Sequence, residues 1–280
     1  MNPLDFAHFV ALLKSRAGIE LTMEKDYLVK SRLGAIAGTA GFETVEALLE
    51  AIRLRPTETL VEAAVDAMTT NETFFFRDQS PFDHLRRILL EPARKQARRI
   101  RVWSAACSTG QEPYSIAMLW DELAHHLPGV SLEILATDLS NGCLTKARSG
   151  LYTQFEVQRG LPVQKLMKHF EPVGPNWRAK PALGQSITWR RHNLLERPDG
   201  LGVFDVVLCR NVLIYFDRPT RSQVLAGIAR QLAPGGYLIL GASETVLGLS
   251  DAFQPAAGSG LYVKGDPAGA VARPASIARG

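Results

Sequence analysis

Two apolar runs end in residues suited to holding a ligand. Ile100 to Ala105 leads into Ala106, Cys107, Ser108, Thr109 and Gly110, and Leu132 to Ala136 leads into Thr137 and Asp138. Small residues let a backbone turn sharply and approach a bound molecule before a helix opens, here at Gln111 to Pro113. An acid at the C-terminal tip of the second strand is where a doubly wound fold hydrogen-bonds a ribose. Asp138 also has a plainer reading, as the cap of a helix starting near Leu139 and Ser140. The stretch from Gly110 to Asp138 exceeds the roughly 20 residues of a dinucleotide fold, and the glycines that cradle a phosphate are missing. That combination favours an adenosyl ligand without phosphate, and S-adenosylmethionine is such a ligand.

The elements around these residues follow from pattern. From Ile100 onward, short apolar runs (Ile100 to Ala105, Leu132 to Ala136, Phe204 to Cys209, Tyr237 to Leu240) alternate with helical stretches at Pro113 to His126, Ser140 to Ser149 and Pro219 to Leu232. Such alternation predicts an α/β domain, a parallel sheet with helices on both faces. Pro234, Gly235 and Gly236 predict a turn before Tyr237, and Gly260 to Lys264 an edge strand. Phe170 to Arg191, with Pro172, Pro175, Pro181, Gly174 and Gly184, reads as a small antiparallel excursion. Residues 1–68 are helical throughout: Phe6, Phe9, Val10 and Leu13, then Val45, Leu48, Leu49 and Ile52, then Leu60, Val61, Ala64, Val65 and Met68 keep three-and-four spacing. The division expected is an all-α domain over 1–68, a linker and first helix over 69–99, a catalytic domain over 100–264 with the excursion at about 170–191, and a disordered tail over 265–280.

Composition narrows the setting. The chain has 280 residues and a net charge of +4, and no apolar run approaches the roughly 20 residues of a membrane span. Met1 to Leu13 lacks the features of a secretory signal, so a cytoplasmic protein without direct membrane insertion is expected. Cys107, Cys143 and Cys209 form no metal-binding or catalytic pattern and read as buried thiols. Arg86, Arg87, Arg94, Lys95, Arg98, Arg99 and Arg101 form a basic run, either a solvated helix face or a surface for an acidic partner.

Six blocks in order then give the chain a specific resemblance over about residues 5–264. They are TTNETFFFRD (Thr69 to Asp78), VWSAACSTGQEPYSIA (Val102 to Ala117), ATDLS (Ala136 to Ser140), KARSGLY (Lys146 to Tyr152), HNLLE (His192 to Glu196) and FDVVLCRNVLIYFD (Phe204 to Asp217). The chain resembles the CheR family of chemotaxis receptor glutamate methyltransferases. The resemblance implies a small all-α domain, a linker, a doubly wound seven-stranded S-adenosylmethionine methyltransferase domain, and a small antiparallel β-subdomain inserted into it. It implies cofactor contacts at Asn71, Thr73 and Arg77 in the linker, Glu112 after the turn, Asp138 at the ribose, Asn193 and Leu194 near the adenine, and Arg210 and Asn211 after the fourth strand. Without it, Asn71 and Thr73 would read as helix caps and Phe74, Phe75 and Phe76 as a core stripe. Arg77 could hold a substrate or cofactor carboxylate by paired hydrogen bonds, and Tyr215 is placed beside the transferred methyl.

The implied reaction esterifies glutamate side chains, leaving S-adenosylhomocysteine. A glutamate is already ionised at neutral pH, so positioning and exclusion of water should dominate, with no catalytic role for His84, His169 or His192. The implied partner is the helical cytoplasmic bundle of a chemoreceptor, met by a monomer, with Lys25, Lys30 and Arg32 as a candidate basic docking face. The excursion resembles a subdomain that captures a receptor C-terminal pentapeptide by strand addition. Two departures stand out: Gln111 where the family often has an acid, and Ala242 where it often has a histidine before Ser243 and Glu244. Competing readings are a non-catalytic adaptor and a methyltransferase acting on nucleic acid or a small molecule. The string after the fourth strand, Arg210 to Tyr215, lacks the Pro-Pro-aromatic pattern used on base amines, so no nucleic-acid partner is expected.

Overall fold

The three-and-four spacing at the start of the chain becomes four helices, α1 (Pro3–Ala17), α2 (Asp26–Thr39), α3 (Val45–Leu54) and α4 (Glu58–Met68). The computed structural model describes residues 1–91, 94 and 96–265; Lys95 and residues 266–280 of the expected tail lie outside them. Side chains start the helices by accepting free backbone N–H groups: Asn2 from Leu4 (2.9 Å), Thr44 from Ala47 (3.1 Å), Thr57 from Leu60 (3.4 Å). Phe6, Phe9, Leu13, Val29, Leu33, Leu48, Leu49, Ile52 and Val65 bury their apolar faces together as the core of this unit. At the end of α1, Gly18 (φ +70) turns the chain against the neighbouring domain: a Cβ there would lie 2.9 Å from Phe216 Cδ1 and 3.2 Å from Leu195 Cδ2.

After α5 (Gln79–Leu89), strands β1 (Arg99–Ala105), β2 (Ser131–Asp138), β6 (Ile187–Arg191), β7 (Phe204–Cys209), β8 (Leu232–Leu240), β9 (Phe253–Pro255) and β10 (Leu261–Lys264) build the main sheet. Its seven strands run in the order β6-β2-β1-β7-β8-β10-β9. The pairs from β6 to β8 are parallel and β10 is antiparallel to both its neighbours. Alternate residues of β1 serve opposite faces: Ile100 and Val102 join one core, Trp103 and Ala105 the other. Helices α6 (Gln111–Leu123) and α7 (Asn141–Ser149) cover the first face, and α11 (Arg218–Gln231) the second. The strand order reverses between β1 and β7, which opens a crevice at their C-terminal ends.

The antiparallel excursion differs from its expected bounds. Its three strands, β3 (Leu151–Thr153), β4 (Phe170–Val173) and β5 (Asn176–Ala179), run in the order β3-β5-β4. With them come α8 (Gln154–Gln158), α9 (Val163–His169) and α10 (Pro181–Gly184). Ile187–Arg191 is instead an edge strand of the main sheet, pairing with Ile134 to Asp138 of β2. The nearby prolines hid the break, because Pro172 lies within β4, Pro175 in the turn before β5, and Pro181 opens the short helix that separates β5 from β6. The expected turn at Pro234 to Gly236 is a distortion inside β8, with Gly235 at φ +67.

The basic run is largely neutralised by its surroundings. Arg86 pairs with Glu122, Arg94 with Asp205, and both Arg99 and Arg101 with Glu133. Arg87 donates to His84 Nδ1 and to the Ala257 carbonyl. Among the described residues, no helix is long and apolar enough to cross a membrane. The all-α unit has its own core, so Phe9→Ala is expected to destabilise it by about 3–5 kcal/mol. Hydrogen exchange should show protection lost in α1 to α4 while β1, β2 and β7 keep theirs.

Candidate active site

The floor of the crevice is the turn after β1. Ala106 (φ +59), Ser108 (φ +51) and Gly110 (φ +94) all take left-handed backbone conformations. Gly110 has no room for a side chain, since a Cβ would lie 2.8 Å from Ala147 Cβ and 3.0 Å from Trp189 Cη2. Asp138 fastens this turn to the tip of β2, its carboxylate accepting the backbone N–H of Ser108 (2.7 Å) and of Ser140 (2.9 Å). It does not cap α7; Ser140 does, accepting from the Cys143 N–H (3.0 Å). Burial pushes the Asp138 carboxyl up from the usual carboxylate range, the two N–H donors pull it down, and nearby Asp66 adds to the rise.

A second tie joins the sheet to the linker. Arg210, at the end of β7, is buried. Its Nη1 donates to Glu112 Oε2 (2.8 Å), and its Nη2 to the Arg77 carbonyl (2.6 Å) and Asp78 Oδ2 (2.9 Å). Ser104 donates to the other Glu112 oxygen (2.7 Å), so this carboxylate is committed to the protein on both sides. Ser108 Oγ donates to the Asn71 carbonyl (2.7 Å) and Ser115 Oγ accepts from the Phe76 N–H (3.0 Å), pinning the linker at two further points. Of the three phenylalanines only Phe75 is fully buried; Phe74 lies beneath the guanidinium groups of Arg77 and Arg159.

A third tie holds the loop after β7. The buried Glu244 carboxylate accepts four backbone N–H groups, those of Gly241 (2.8 Å), Asn211 (2.8 Å), Val212 (2.9 Å) and Leu213 (2.8 Å). That fixes Asn211 at φ +58 and carries the short turn Leu213–Tyr215 to the crevice. Ala242 beside it is exposed and does not line the crevice, so the departure from histidine alters nothing there. Gln111 is buried and accepts a hydrogen bond from Thr109 Oγ1 (2.8 Å). Every non-glycine residue with positive φ among the described residues, namely Phe76, Asp78, Ala106, Ser108 and Asn211, belongs to the linker, the β1 turn or this loop. Strained backbone collects where a site demands it.

One cleft of about 230 Å³ is bounded by all three. Asn71, Thr73, Arg77, Glu112, Asp138, Asn193, Leu194, Arg210, Asn211 and Tyr215 all line it. Two of them, expected from the resemblance as cofactor contacts, are engaged with the protein itself. Asn193 donates to the Arg16 carbonyl (2.7 Å) and accepts from the Leu195 N–H (3.1 Å), so its amide holds α1 in place. Glu112 acts through Arg210 and Ser104, as described. The all-α domain supplies a wall that sequence reasoning missed, with Leu28, Arg32 and Met68 among its residues. No local pattern announces it, because it exists only once the two domains meet. Arg32 therefore does not belong to a docking face: it donates to the carbonyls of Met68 (2.5 Å) and Thr69 (3.1 Å) and to Thr70 Oγ1 (3.0 Å). Lys25 lines the cleft and Lys30 pairs with Asp26. His192 also lines it, and burial lowers its pKa, which keeps the ring neutral at pH 7.

S-adenosylmethionine offers a ribose diol, the flat aromatic faces of adenine and an amino-acid head with a carboxylate, and the cleft has groups suited to these three. Asp138 has lone pairs left for hydroxyl donors. Leu139, Leu194, Val212 and Phe216 give an apolar wall. For a carboxylate there is Arg77, which makes no ion pair among the described residues, and Arg210 Nε, which is buried without a hydrogen-bond partner.

Comparison with known proteins agrees. The family description "CheR methyltransferase, all-alpha domain" matches residues 4–69, and "CheR methyltransferase, SAM binding domain" matches residues 71–260. The chain is 44% identical over 257 residues to chemotaxis protein methyltransferase Cher2 of Pseudomonas putida, covering 90% of this chain and 94% of that protein. It is 43% identical to chemotaxis protein methyltransferase 1 of Pseudomonas aeruginosa, covering 89% of this chain and 93% of that one. Among solved structures, a TehB-like SAM-dependent methyltransferase from Corynebacterium glutamicum shows a slight likeness, with TM-score 0.38 and 15% identity over 67% of this chain and 87% of that one. The fold and its adenosyl-shaped cleft define an S-adenosylmethionine-dependent methyltransferase. Within that class, the chain belongs to the CheR methyltransferase family.

Hydroxyl donors on Asp138 favour its ionised form and so lower its raised pKa. Binding of S-adenosylhomocysteine is therefore expected to release protons as the raised pKa of the free protein falls in the complex, and the release should fade as pH rises above the free-protein value. Calorimetry in two buffers of different ionisation enthalpy measures it, and Asp138→Asn should abolish it. Glu244→Gln turns an amide NH₂ toward N–H donors, each unsatisfied buried group costing about 1–3 kcal/mol. A denaturant melt should show that loss, with weakened S-adenosylhomocysteine affinity.

Proposed function

We propose that the chain esterifies glutamate side chains on the cytoplasmic helical bundle of chemoreceptors, serving sensory adaptation. The observation that carries the reading is Arg77, a guanidinium lining the cleft with no carboxylate partner among the described residues. It suits an acceptor that arrives already ionised. The nearest histidine, His192, is buried with its pKa lowered. A reaction that needed a base to deprotonate an amine or hydroxyl would call for such a group to be accessible and poised near neutrality.

In this reading S-adenosylmethionine supplies an electrophilic sulfonium methyl. Asp138 accepts the ribose hydroxyls, Leu194 bounds the adenine, and Asn193 holds α1 over the cleft. Arg210 keeps a buried Nε without a partner, and Glu112 holds its Nη1. Asn71 and Thr73 shape the linker side, and Asn211 and Tyr215 border the acceptor's path from the loop that Glu244 holds. Arg77 orients the acceptor carboxylate so that one oxygen lies in line with the bond to be broken, and the covering all-α domain excludes water.

The enzyme acts as a cytoplasmic monomer on this reading. β3 and β4 are both edges of the three-stranded sheet, and either offers unpaired backbone groups to a receptor C-terminal pentapeptide by strand addition.

Incubation with radiolabelled S-adenosylmethionine and receptor-bearing membranes tests the proposal. Base-labile label on receptor is the expected outcome. Base-stable label, or label on nucleic acid or a small molecule, would sink it, and cofactor binding with no label at all would indicate an adaptor. Asp138→Ala should abolish S-adenosylhomocysteine binding by calorimetry with the circular dichroism spectrum unchanged; undiminished affinity would remove Asp138 from the site.

A further inference from the structure

Beside the cleft stands a second guanidinium that the reaction as proposed does not use. Arg159 follows α8 in the inserted subdomain, and the next residue, Gly160 (φ +82), is pressed onto the linker. A Cβ there would lie 2.0 Å from the Phe75 carbonyl oxygen and 3.1 Å from Phe74 Cδ2. The turn can sit this close only with glycine, and it delivers Arg159 to a fixed place. Its guanidinium carbon lies 4.7 Å from the centroid of the Phe74 ring, which also carries Arg77 at 5.6 Å. Its Nη1 is 2.5 Å from Glu72 Oε1. Glu72 itself lines the cleft, and its carbonyl accepts from Arg77 Nη1 (2.7 Å).

The two partners differ in how firmly they are held. The ring, through a cation–π contact, and the glycine turn anchor Arg159. The Glu72 carboxylate is 55% exposed and the Arg159 side chain 41% exposed. Exchanging one carboxylate for another in such a pair changes little, since solvent screens exposed pairs. We propose that Arg159 recognises the acceptor: it binds an acidic side chain neighbouring the methylated glutamate, and Glu72 is an internal stand-in that the acceptor displaces. Arg77 and Arg159 flank the same Phe74 ring, so the linker and the inserted subdomain together present two cations to an acidic acceptor. This rests on the glutamate reading above.

The test uses the full chain, receptor-bearing membranes and radiolabelled S-adenosylmethionine, with initial rates at low salt. Arg159→Gln is expected to raise KM for receptor about threefold to tenfold, leaving kcat within about twofold and S-adenosylhomocysteine affinity unchanged. Glu72→Gln is expected to act in the opposite sense, lowering KM, because it removes the competitor. A purely structural pair predicts the two variants to behave alike. KM values moving in the same direction, or cofactor affinity falling with both, overturns the proposal while base-labile label from the wild type leaves the glutamate reading standing. Absence of that label from the wild type overturns both.

Discussion

The site depends on one buried ion pair. Arg210 closes the end of β7 and Glu112 opens α6, two elements that reach the crevice from different strands. Their contact fixes the crevice width where the strand order reverses. Removing one partner of such a pair costs about 3–5 kcal/mol, because the other charge is left buried and alone. Replacing both with apolar residues could cost far less in stability and would still remove the linker's anchor. The two further contacts of Arg210, to the Arg77 carbonyl and to Asp78, set where the linker crosses the cleft. Arg77 can meet an acceptor only because its own backbone is held in this way.

The remaining ties repeat that logic. Asp138 holds the β1 turn by accepting from Ser108, and Glu244 holds the β7 loop by accepting from four backbone groups. In each case a buried carboxylate satisfies N–H groups that a left-handed residue has turned away from regular structure. Short charge-assisted hydrogen bonds offset the backbone strain at Ser108 and Asn211. Rigid loops at the C-terminal ends of β1, β2 and β7 are the result, and a methyl transfer that relies on geometry requires them.

Much of this was legible in the sequence, for physical reasons. Parallel strands buried on both faces read as apolar runs, so β1, β2 and β7 were plain. Asp138 stood out as an acid at the tip of such a run, with a helix cap as its other reading, and the structure gives it a different structural use in holding the β1 turn. Ile187–Arg191 was misassigned because an edge strand, half covered, alternates like a strand of a small antiparallel sheet. The family resemblance placed Glu112 and Asn193 at the cleft and could not say what their side chains touch. Glu112 meets Ser104 and Arg210, and Asn193 meets the Arg16 carbonyl, partners 8, 98 and 177 residues away. Leu28, Arg32 and Met68 were invisible because their faces turn toward another domain.

That last group shows how the two domains divide the work. The sheet supplies Asp138 and the small-residue turn at the floor of the cleft. Excluding water is a different requirement, and the sheet's open end cannot meet it. On the proposed reading the all-α domain meets it, with Leu28 and Met68 facing the cleft and Arg32 holding the carbonyls of Met68 and Thr69. Around the mouth of the cleft the linker meets the inserted subdomain at Phe74, Glu72 and Arg159. The all-α unit at Thr70, the main sheet at Asn71, Arg77 and Asp78, and the inserted subdomain at Glu72 and Phe74 therefore all meet one short stretch of chain.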